Sequence, residues 1–485
     1  MKRLKREYTK IFHFLGQAAV IVLGLATIII ISCKASDVAE VVETGWERSY
    51  EAGYTDSSGN YGGGSEILHL VGHKGKLYAA CGYWMDSTNI WYGGTSEDTG
   101  WGQILRLDSP SGQWEVDLDL GPYYLRPETL KSVTFTTDGN GNPLNEPVNL
   151  LITSTYSPGQ GGADVTVFVR DDETGNWERS TVLSGLQLKG ENISVRDIHL
   201  YRDKVTGIDR IFITIGVLGI FSGIYDASAP GKISWNEQSE SGPVEIRPLA
   251  IIEVNNSLLF SAGKFVYRRS DGVSPTYTVV HDLEDLATKG VRSPLGGIRG
   301  MTAISNPNSE GESIIFAWCA QNRSRACIYR LDPDGKGGYT RVKETCLDNL
   351  ISEYLGGNPV YFVLPAYNDI LSVVDPSTKK TVNLIGFESW IGGQQFPLWM
   401  GKPNGGFYAG AMFAIRSENG EYRLNEVNGP IDTNKPVLVA TRAYAISPFE
   451  EEDGSVIYFG GHDGNSRPSH NMAWIFKTSL DIALQ

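Results

Sequence analysis

The sequence predicts an all-β fold, a seven-bladed β-propeller closed by pairing of the N-terminal strand with the last blade. Three observations carry that reading. Aromatic residues make up 11% of the 485-residue chain and glycine occurs 56 times, while long stretches of Ala, Leu, Glu and Lys are missing. Such a composition disfavours helical bundles and coiled coils and favours short strands joined by turns. One unit also recurs along the chain: a β-run, a turn with Gly and often Asp or Ser, then an aromatic that opens another short strand. Finally, two strand-like segments near the ends lack local partners and complete each other.

In chain order, residues 1–33 are an address. Lys2, Arg3, Lys5, Arg6 and Lys10 precede an apolar run from Leu15 to Ile31, as in an export signal. The run ends in Ile30-Ile31-Ser32-Cys33, which resembles a bacterial lipobox and implies lipidation of Cys33. The alternative is an uncleaved anchor, since ~17 apolar residues lie near the lower limit of a span. Both place the domain outside the cytoplasm; the lipobox implies an exported protein, lipid-anchored to a bacterial membrane and facing the periplasm or cell surface. Residues 34–43 form a short linker, and 44–485 form the propeller.

The repeat is clearest as Leu105-Arg106-Leu107-Asp108 followed by Gly112-Gln113-Trp114-Glu115, and as Val169-Arg170-Asp171-Asp172 followed by Gly175-Asn176-Trp177-Glu178. Looser copies place Trp235, Tyr277, Tyr339 and Tyr422 after the turn, and Trp46 opens a segment, Trp46-Glu47-Arg48-Ser49, that duplicates Trp177-Glu178-Arg179-Ser180. The aromatics at 46, 114, 177, 235, 277, 339 and 422 therefore count seven blades. Met472 to Lys477 has the pattern of a third strand with nothing after it, so the segment at Trp46 supplies its missing neighbour and no sheet edge stays open. Apolar inner strands are expected at 67–71, 130–136, 195–201, 246–252, 298–304, 367–374 and 439–446, around a central channel. The repeated aromatics are expected to pack between blades.

Apart from Cys33, the cysteines are Cys81, Cys319, Cys327 and Cys346, too few for a disulfide scaffold in a domain of this size. Cys319 and Cys327 flank a short polar stretch, which allows a cross-hairpin disulfide; buried free thiols are the alternative.

In a four-stranded meander, the connection into the inner strand and the connection from second to third strand share one face, where function gathers. Arg196, Arg247, Arg299 and Arg442 stand near the starts of four inner strands. Together they would favour a carboxylate or sulfate, unless each pairs with an acid in the next blade. Second-to-third loops hold Tyr83, Trp84, Trp91 and Trp390, flat platforms for sugar rings or self-packing loop residues. Blade seven adds a polar loop with His462, Arg467 and His470. The expected substrate-binding set is Arg196, Arg247, Arg299, Arg442, Tyr83, Trp84, Trp91, Trp390 and Arg467. For proton transfer it is His470, His462, His199 and Tyr444. Asp138, Asn140 and Asn142 have a calcium-loop spacing, but Pro143 and Asn149 break that pattern. No cofactor or metal site is expected, although a bound calcium or zinc ion stays open. Net charge −14 argues against a nucleic-acid partner, and a monomer is expected.

The segments Tyr458-Phe459-Gly460-Gly461-His462-Asp463, His470 to Ile475 and Val205 to Phe212 resemble a family of exported bacterial and fungal propellers, which implies the fold and leaves the activity open. At the level of fold the chain is also similar to seven-bladed polysaccharide lyases acting on ulvan or rhamnosyl-glucuronate caps. Those enzymes use histidine and tyrosine for proton transfer and arginine to neutralise the uronate. Their two histidines lie about twenty residues apart, yet Asn89 and Gly93 stand where His69 and His73 would need that partner, so no catalytic residue carries over. The sequence thus points to a surface lipoprotein acting on anionic, uronate-containing polysaccharide, a lyase using β-elimination if it is an enzyme. The alternative is a non-catalytic propeller that binds glycan or protein.

Overall fold

The computed structural model describes residues 45–485 except 87–99, 123, 157–163, 189, 287–296, 320–324, 358, 366–369, 392–406, 409–410, 428–439 and 463–469. The export signal with Cys33, the linker 34–43, Trp91 and Arg467 lie outside the described residues, as does the side chain of Trp390.

Seven antiparallel four-stranded blades follow one another along the chain, five of them separate sheets and blades 6 and 7 joined into one where Glu388 lies opposite Ala440. Blade 1 runs Glu66–His73, Lys76–Gly82, Gln103–Leu107, Glu115–Asp119, and blade 2 runs Arg126–Thr137, Pro143–Tyr156, Val165–Arg170, Trp177–Leu183. Blade 3 is Ile198–Arg202, Asp209–Ile215, Gly219–Tyr225, Ile233–Trp235, and blade 4 is Pro248–Val254, Ser257–Ala262, Phe265–Arg269, Tyr277–Asp282. Blade 5 is Gly297–Ser305, Glu312–Cys319, Ala326–Pro333, Tyr339–Cys346, followed by the helix Leu347–Tyr354. In blade 6 the inner strand is split into Val360–Pro365 and Leu371–Val374, both paired with Thr381–Ile391, and Met412–Arg416 and Tyr422–Glu426 complete the sheet. Blade 7 takes Ala440–Ile446, Val456–His462 and Ala473–Ser479 from the C-terminus and Glu47–Glu51 from the N-terminus. That last strand pairs antiparallel with Glu47 opposite Lys477 and Glu51 opposite Trp474, so the two ends of the propeller lock each other and Ala473–Ser479 gains its outer neighbour.

Inner and second strands are near-continuous apolar runs because a blade packs on neighbours through both faces; Leu77 to Cys81 and Ile314 to Cys319 are buried throughout. The seven repeated aromatics stand at or beside the starts of the outer strands, except Trp235, which ends the short strand of blade 3.

Around the rim, five of these aromatics, at 114, 177, 235, 277 and 422, hold their blade to the one before it. The indole N–H of Trp114 donates to Ser49 Oγ (3.0 Å), and that of Trp235 donates to Ser180 Oγ (2.9 Å), the same residue of the duplicated segment. At the alternate interfaces an acid replaces the serine and also takes an arginine from the third strand of the next blade. Asp117 accepts from Arg170 Nε and Trp177 Nε1, both at 2.8 Å. Glu240 accepts from Arg269 Nε (2.5 Å) and Tyr277 Oη (2.8 Å). Glu344 accepts from Arg416 Nε and Nη2 (2.6 and 2.8 Å) and Tyr422 Oη (2.5 Å).

The cysteine expectation is corrected. The disulfide joins Cys327 to Cys346, while Cys81 and Cys319 are buried free thiols. Cys319 lies opposite Ala326, so Cys327 points to the other face of the sheet, where its cross-strand partner is Cys346. Asp138 is a turn residue, accepting from the backbone of Asn140 and Asn142 and from the Asn142 amide. Among the described residues no helix is long and apolar enough to cross a membrane.

Candidate functional site

The inner strands present charge where they begin, and these side chains join blade to blade. Arg442 of blade 7 binds Glu66 of blade 1 and, at 2.9 Å, Glu388 of blade 6. Arg126 of blade 2 reaches Glu66 at 3.4 Å and Glu128 at 2.5 Å. Glu128 also holds Arg196, which leads into blade 3, and Arg247, leading into blade 4, donates to Ser194 Oγ at 3.3 Å. All are buried, and Arg299 on the inner strand of blade 5 is 1% exposed. Burial pushes the Glu128 carboxyl upward, but Arg126, Arg196 and Arg247 outweigh it and hold the group at about 2. Four arginines (126, 196, 247, 442) and three glutamates (66, 128, 388) thus act on one another across the blades among the described residues, and Arg299 is buried near the start of the blade 5 inner strand. The four sequence-predicted arginines are therefore not an open funnel: Arg196 and Arg442 hold carboxylates of neighbouring blades.

Above this charged layer, residues 83–86, which follow the second strand of blade 1, and His470, at the end of the blade 7 loop, converge. Trp84 packs edge-on against Tyr156 (5.6 Å), and the Arg126 guanidinium lies 4.8 Å from the Trp84 ring centre and 5.4 Å from that of Tyr156. The half-exposed His470 sits with Nδ1 4.0 Å from Oδ2 of Asp86, a fully buried carboxylate. His470 is fixed through its backbone, whose carbonyl accepts from Gly64 N at 2.8 Å. The next residue, Asn471, accepts a 2.7 Å hydrogen bond from the exposed Tyr61 hydroxyl. Tyr83 is buried under this loop, and its phenol is pushed up by burial. The Gly63 backbone passes so close that a Cβ there would meet the Tyr83 hydroxyl.

The other predicted proton-transfer residues lie elsewhere. His462, at the end of the second strand of blade 7, is 1% exposed; burial and Arg442 press it well below the ordinary imidazole range. His199, half-buried on the inner strand of blade 3, is lowered to about 4 by burial and Lys131. Both rings are neutral and weak bases. Tyr444 belongs to the core between blades 6 and 7, against Phe459, with its oxygen accepting from Gly386 N at 3.4 Å. The structure thus places His470, Tyr83 and Trp84 in one loop region, with His462 and Tyr444 buried in the sheets and His199 half-buried on the inner strand of blade 3.

Sequence reasoning passed over Glu66, Glu128, Glu388 and Arg126. The signal was there: Glu66 and Glu388 are charges at the edge of apolar runs, as in Ser65-Glu66-Ile67-Leu68 and Phe387-Glu388-Ser389, and Arg126 and Glu128 open the inner strand of blade 2 two residues apart.

No protein-family model matches the chain, and no curated protein matches it. Among solved structures the chain is similar to a fungal alcohol oxidase of the AA5 family in complex with copper, at 13% identity over 90% of this chain and 76% of that one, TM-score 0.43. It is similar to an α-L-arabinofuranosidase from Fusarium graminearum in complex with an iminosugar inhibitor, at 10% identity over 91% of this chain and 100% of that one, TM-score 0.42. A Penicillium chrysogenum α-L-arabinanase complexed with arabinobiose matches at 10% identity over 90% and 98%, TM-score 0.38. None of these sets what this chain does, and the propeller assignment rests on its own strand order.

Proposed function

We propose that the protein engages an anionic, uronate-containing polysaccharide on the face above blades 7, 1 and 2 and cleaves it by β-elimination, held at a bacterial membrane by a lipid on Cys33. The observation that supports this reading is the pairing of half-exposed His470 with the buried Asp86 carboxylate on the face where Tyr61, Tyr83 and Trp84 gather. Histidine is the side chain best suited to general acid–base work near neutral pH, and here a buried carboxylate stands beside it. In the reaction, His470 takes the C5 proton, the freed electron pair forms the C4–C5 double bond, and the C4–O bond breaks. The leaving oxygen takes its proton from Tyr61, the exposed hydroxyl joined through Asn471 to the same loop. The Arg126 guanidinium, 4.8 Å from the Trp84 ring centre, supplies positive charge that favours the uronate carboxylate and the carbanion-like transition state.

The test incubates the protein with uronate-rich and sulfated polysaccharides and follows absorbance near ~235 nm, where an unsaturated uronate absorbs. A rising signal that His470→Ala lowers by about 10²–10⁴-fold is the expected result, and a flat trace overturns elimination. The second reading, a non-catalytic glycan- or protein-binding propeller, is favoured by Arg196 and Arg442 already being engaged by Glu128 and Glu66. A flat trace with retained binding would select it.

A further inference from the structure

The opposite end of the blade 1 inner strand carries a group of side chains that the glycan reading does not use. Glu66 begins that strand in the charged layer and His73 ends it, about 23 Å further on at the rise of an extended chain. The two-residue turn Lys74-Gly75, with φ of 47° and 72°, folds the chain back and sets His73 opposite Lys76. The His73 ring is fully buried and lies edge-on to Tyr78, ring centres 6.1 Å apart. From there it reaches two elements of blade 2. Its Nε2 is 2.9 Å from Oδ2 of Asp172, in the turn after the third strand, and its Nδ1 is 2.9 Å from Oγ of Ser132 on the inner strand.

Proton bookkeeping fixes the roles. An ionised carboxylate only accepts, so Nε2 carries the proton given to Asp172 and the lone pair of Nδ1 faces the serine hydroxyl. Lys74 Nζ and Arg170 Nη1 also bind Asp172, at 2.8 and 2.7 Å. Burial pushes the Asp172 carboxyl upward, but Lys74, His73 and Arg170 outweigh it and hold the group at about 2, so it stays charged. Burial also holds His73 below the ordinary imidazole value, which keeps Nδ1 open to a proton. Ser132, unlike the ring, is partly exposed. Its hydroxyl also donates to Asn149 Oδ1 at 3.0 Å. With one proton for two acceptors, the hydroxyl turned to the imidazole leaves the Asn149 amide free to rotate and present Nδ2–H to a developing oxyanion. The order is that of a nucleophile, its base and the group that orients the base, with Nδ1 rather than Nε2 turned to the serine.

We infer that Ser132, His73 and Asp172 form a second active site that hydrolyses small acyl esters, acetate esters being the simplest. Ser132 Oγ bonds to the acyl carbon while its proton passes to His73 Nδ1. The bond to the leaving alcohol then breaks, and the alcohol takes that proton. Water, deprotonated by the same nitrogen, attacks the acyl-serine, releases the acid and restores the hydroxyl. The acyl group must be small because the hydroxyl is only partly exposed.

A fluorophosphonate probe on the full chain, located by tandem mass spectrometry, tests this together with hydrolysis of p-nitrophenyl acetate. The expected result is a label on Ser132 and ester turnover that is lost in the labelled protein. Ser132→Ala should lower turnover about 10²-fold or more, and Asp172→Asn, which keeps the shape and removes the charge, should slow labelling about tenfold or more. A thermal melt checks that each variant is folded, and the comparison of labelled with unlabelled wild-type protein needs no variant. A histidine that only latched blade 1 to blade 2 would shift the melts without directing the probe to Ser132. No label on Ser132, turnover that survives labelling, or labelling unchanged by Asp172→Asn overturns the site. His470 lies on the other face, so these readouts stand apart from the elimination assay.

Discussion

The rim and the centre of the propeller both join blades through arginine and carboxylate, and they do so in opposite ways. At the rim one acid serves one interface: Asp117, Glu240 and Glu344 each take an arginine and an aromatic donor from the blade that follows. At the centre the glutamates are shared, so that Glu388, Arg442, Glu66, Arg126, Glu128 and Arg196 form one chain of contacts across blades 6, 7, 1, 2 and 3. The rim repeats because its task repeats, holding neighbour to neighbour. The centre varies from blade to blade, and Arg126 carries it up to the aromatic face. Repetition therefore marks stability here, and departure from repetition marks the place where a ligand would be read.

Glu344→Ala is the strongest way to break the rim. It would strand Arg416, Arg330 and the Tyr422 hydroxyl, all bonded to Glu344 at 2.5–2.8 Å, around a carboxylate that is 4% exposed. Removing one partner from such a buried set costs about 3–5 kcal/mol, measured by urea unfolding. Glu344→Gln, which keeps an acceptor, should recover part of the loss. A cost below about 1 kcal/mol would mean that the rim pairs are as weak as exposed ones.

Acid sharpens the comparison from the central side. Glu128 ordinarily titrates near 4.5 and is held at about 2 in the fold. A lowered carboxylate stabilises the folded state fully above its unfolded value and loses that contribution as pH falls toward the folded one. Between about pH 4.5 and about pH 2, Glu128 alone should therefore withdraw about 3 kcal/mol. Urea unfolding across that window should show a slope that Glu128→Gln flattens. An unchanged slope would show that the central arginines do not hold this carboxylate ionised.

The same contrast explains what could be read from the sequence. The rim unit is local: a turn with Gly, an aromatic and a third-strand Arg fall within about a dozen residues, so the outer strands at Trp114, Trp177, Tyr277, Tyr339 and Tyr422 could be placed. The centre is not local. Arg442 and Glu66 are 376 residues apart, and an acid in an apolar strand gives no sign of its partner until the ring closes. Register was the other hidden quantity. Cys319 and Cys327 flank one turn, yet pairing Cys319 with Ala326 sends the two thiols to opposite faces. The split inner strand of blade 6 escaped for a related reason: Val360–Pro365 lies ahead of the expected 367–374 segment and pairs with the far half of the second strand.

The smallest effect tests whether burial, or the hydrogen bond alone, decides what a rim latch contributes. Ser49 and Ser180 occupy the same place in the duplicated segment and accept indole N–H groups at 3.0 and 2.9 Å. Their donors differ. Trp114 is 1% exposed, whereas Trp235 is only partly buried. Ser49→Ala would leave the Trp114 N–H cut off from water and cost about 2 kcal/mol, while after Ser180→Ala water can take the acceptor's place at Trp235 and the cost falls to about 1 kcal/mol or less. Because Ser49 sits on the strand that closes the ring, its loss also weakens the one interface made from both ends of the propeller. Thermal unfolding of the two variants side by side checks the order. Equal shifts, or a larger one for Ser180→Ala, would show that the hydrogen bond itself sets the strength of the latch and that the burial of its donor does not.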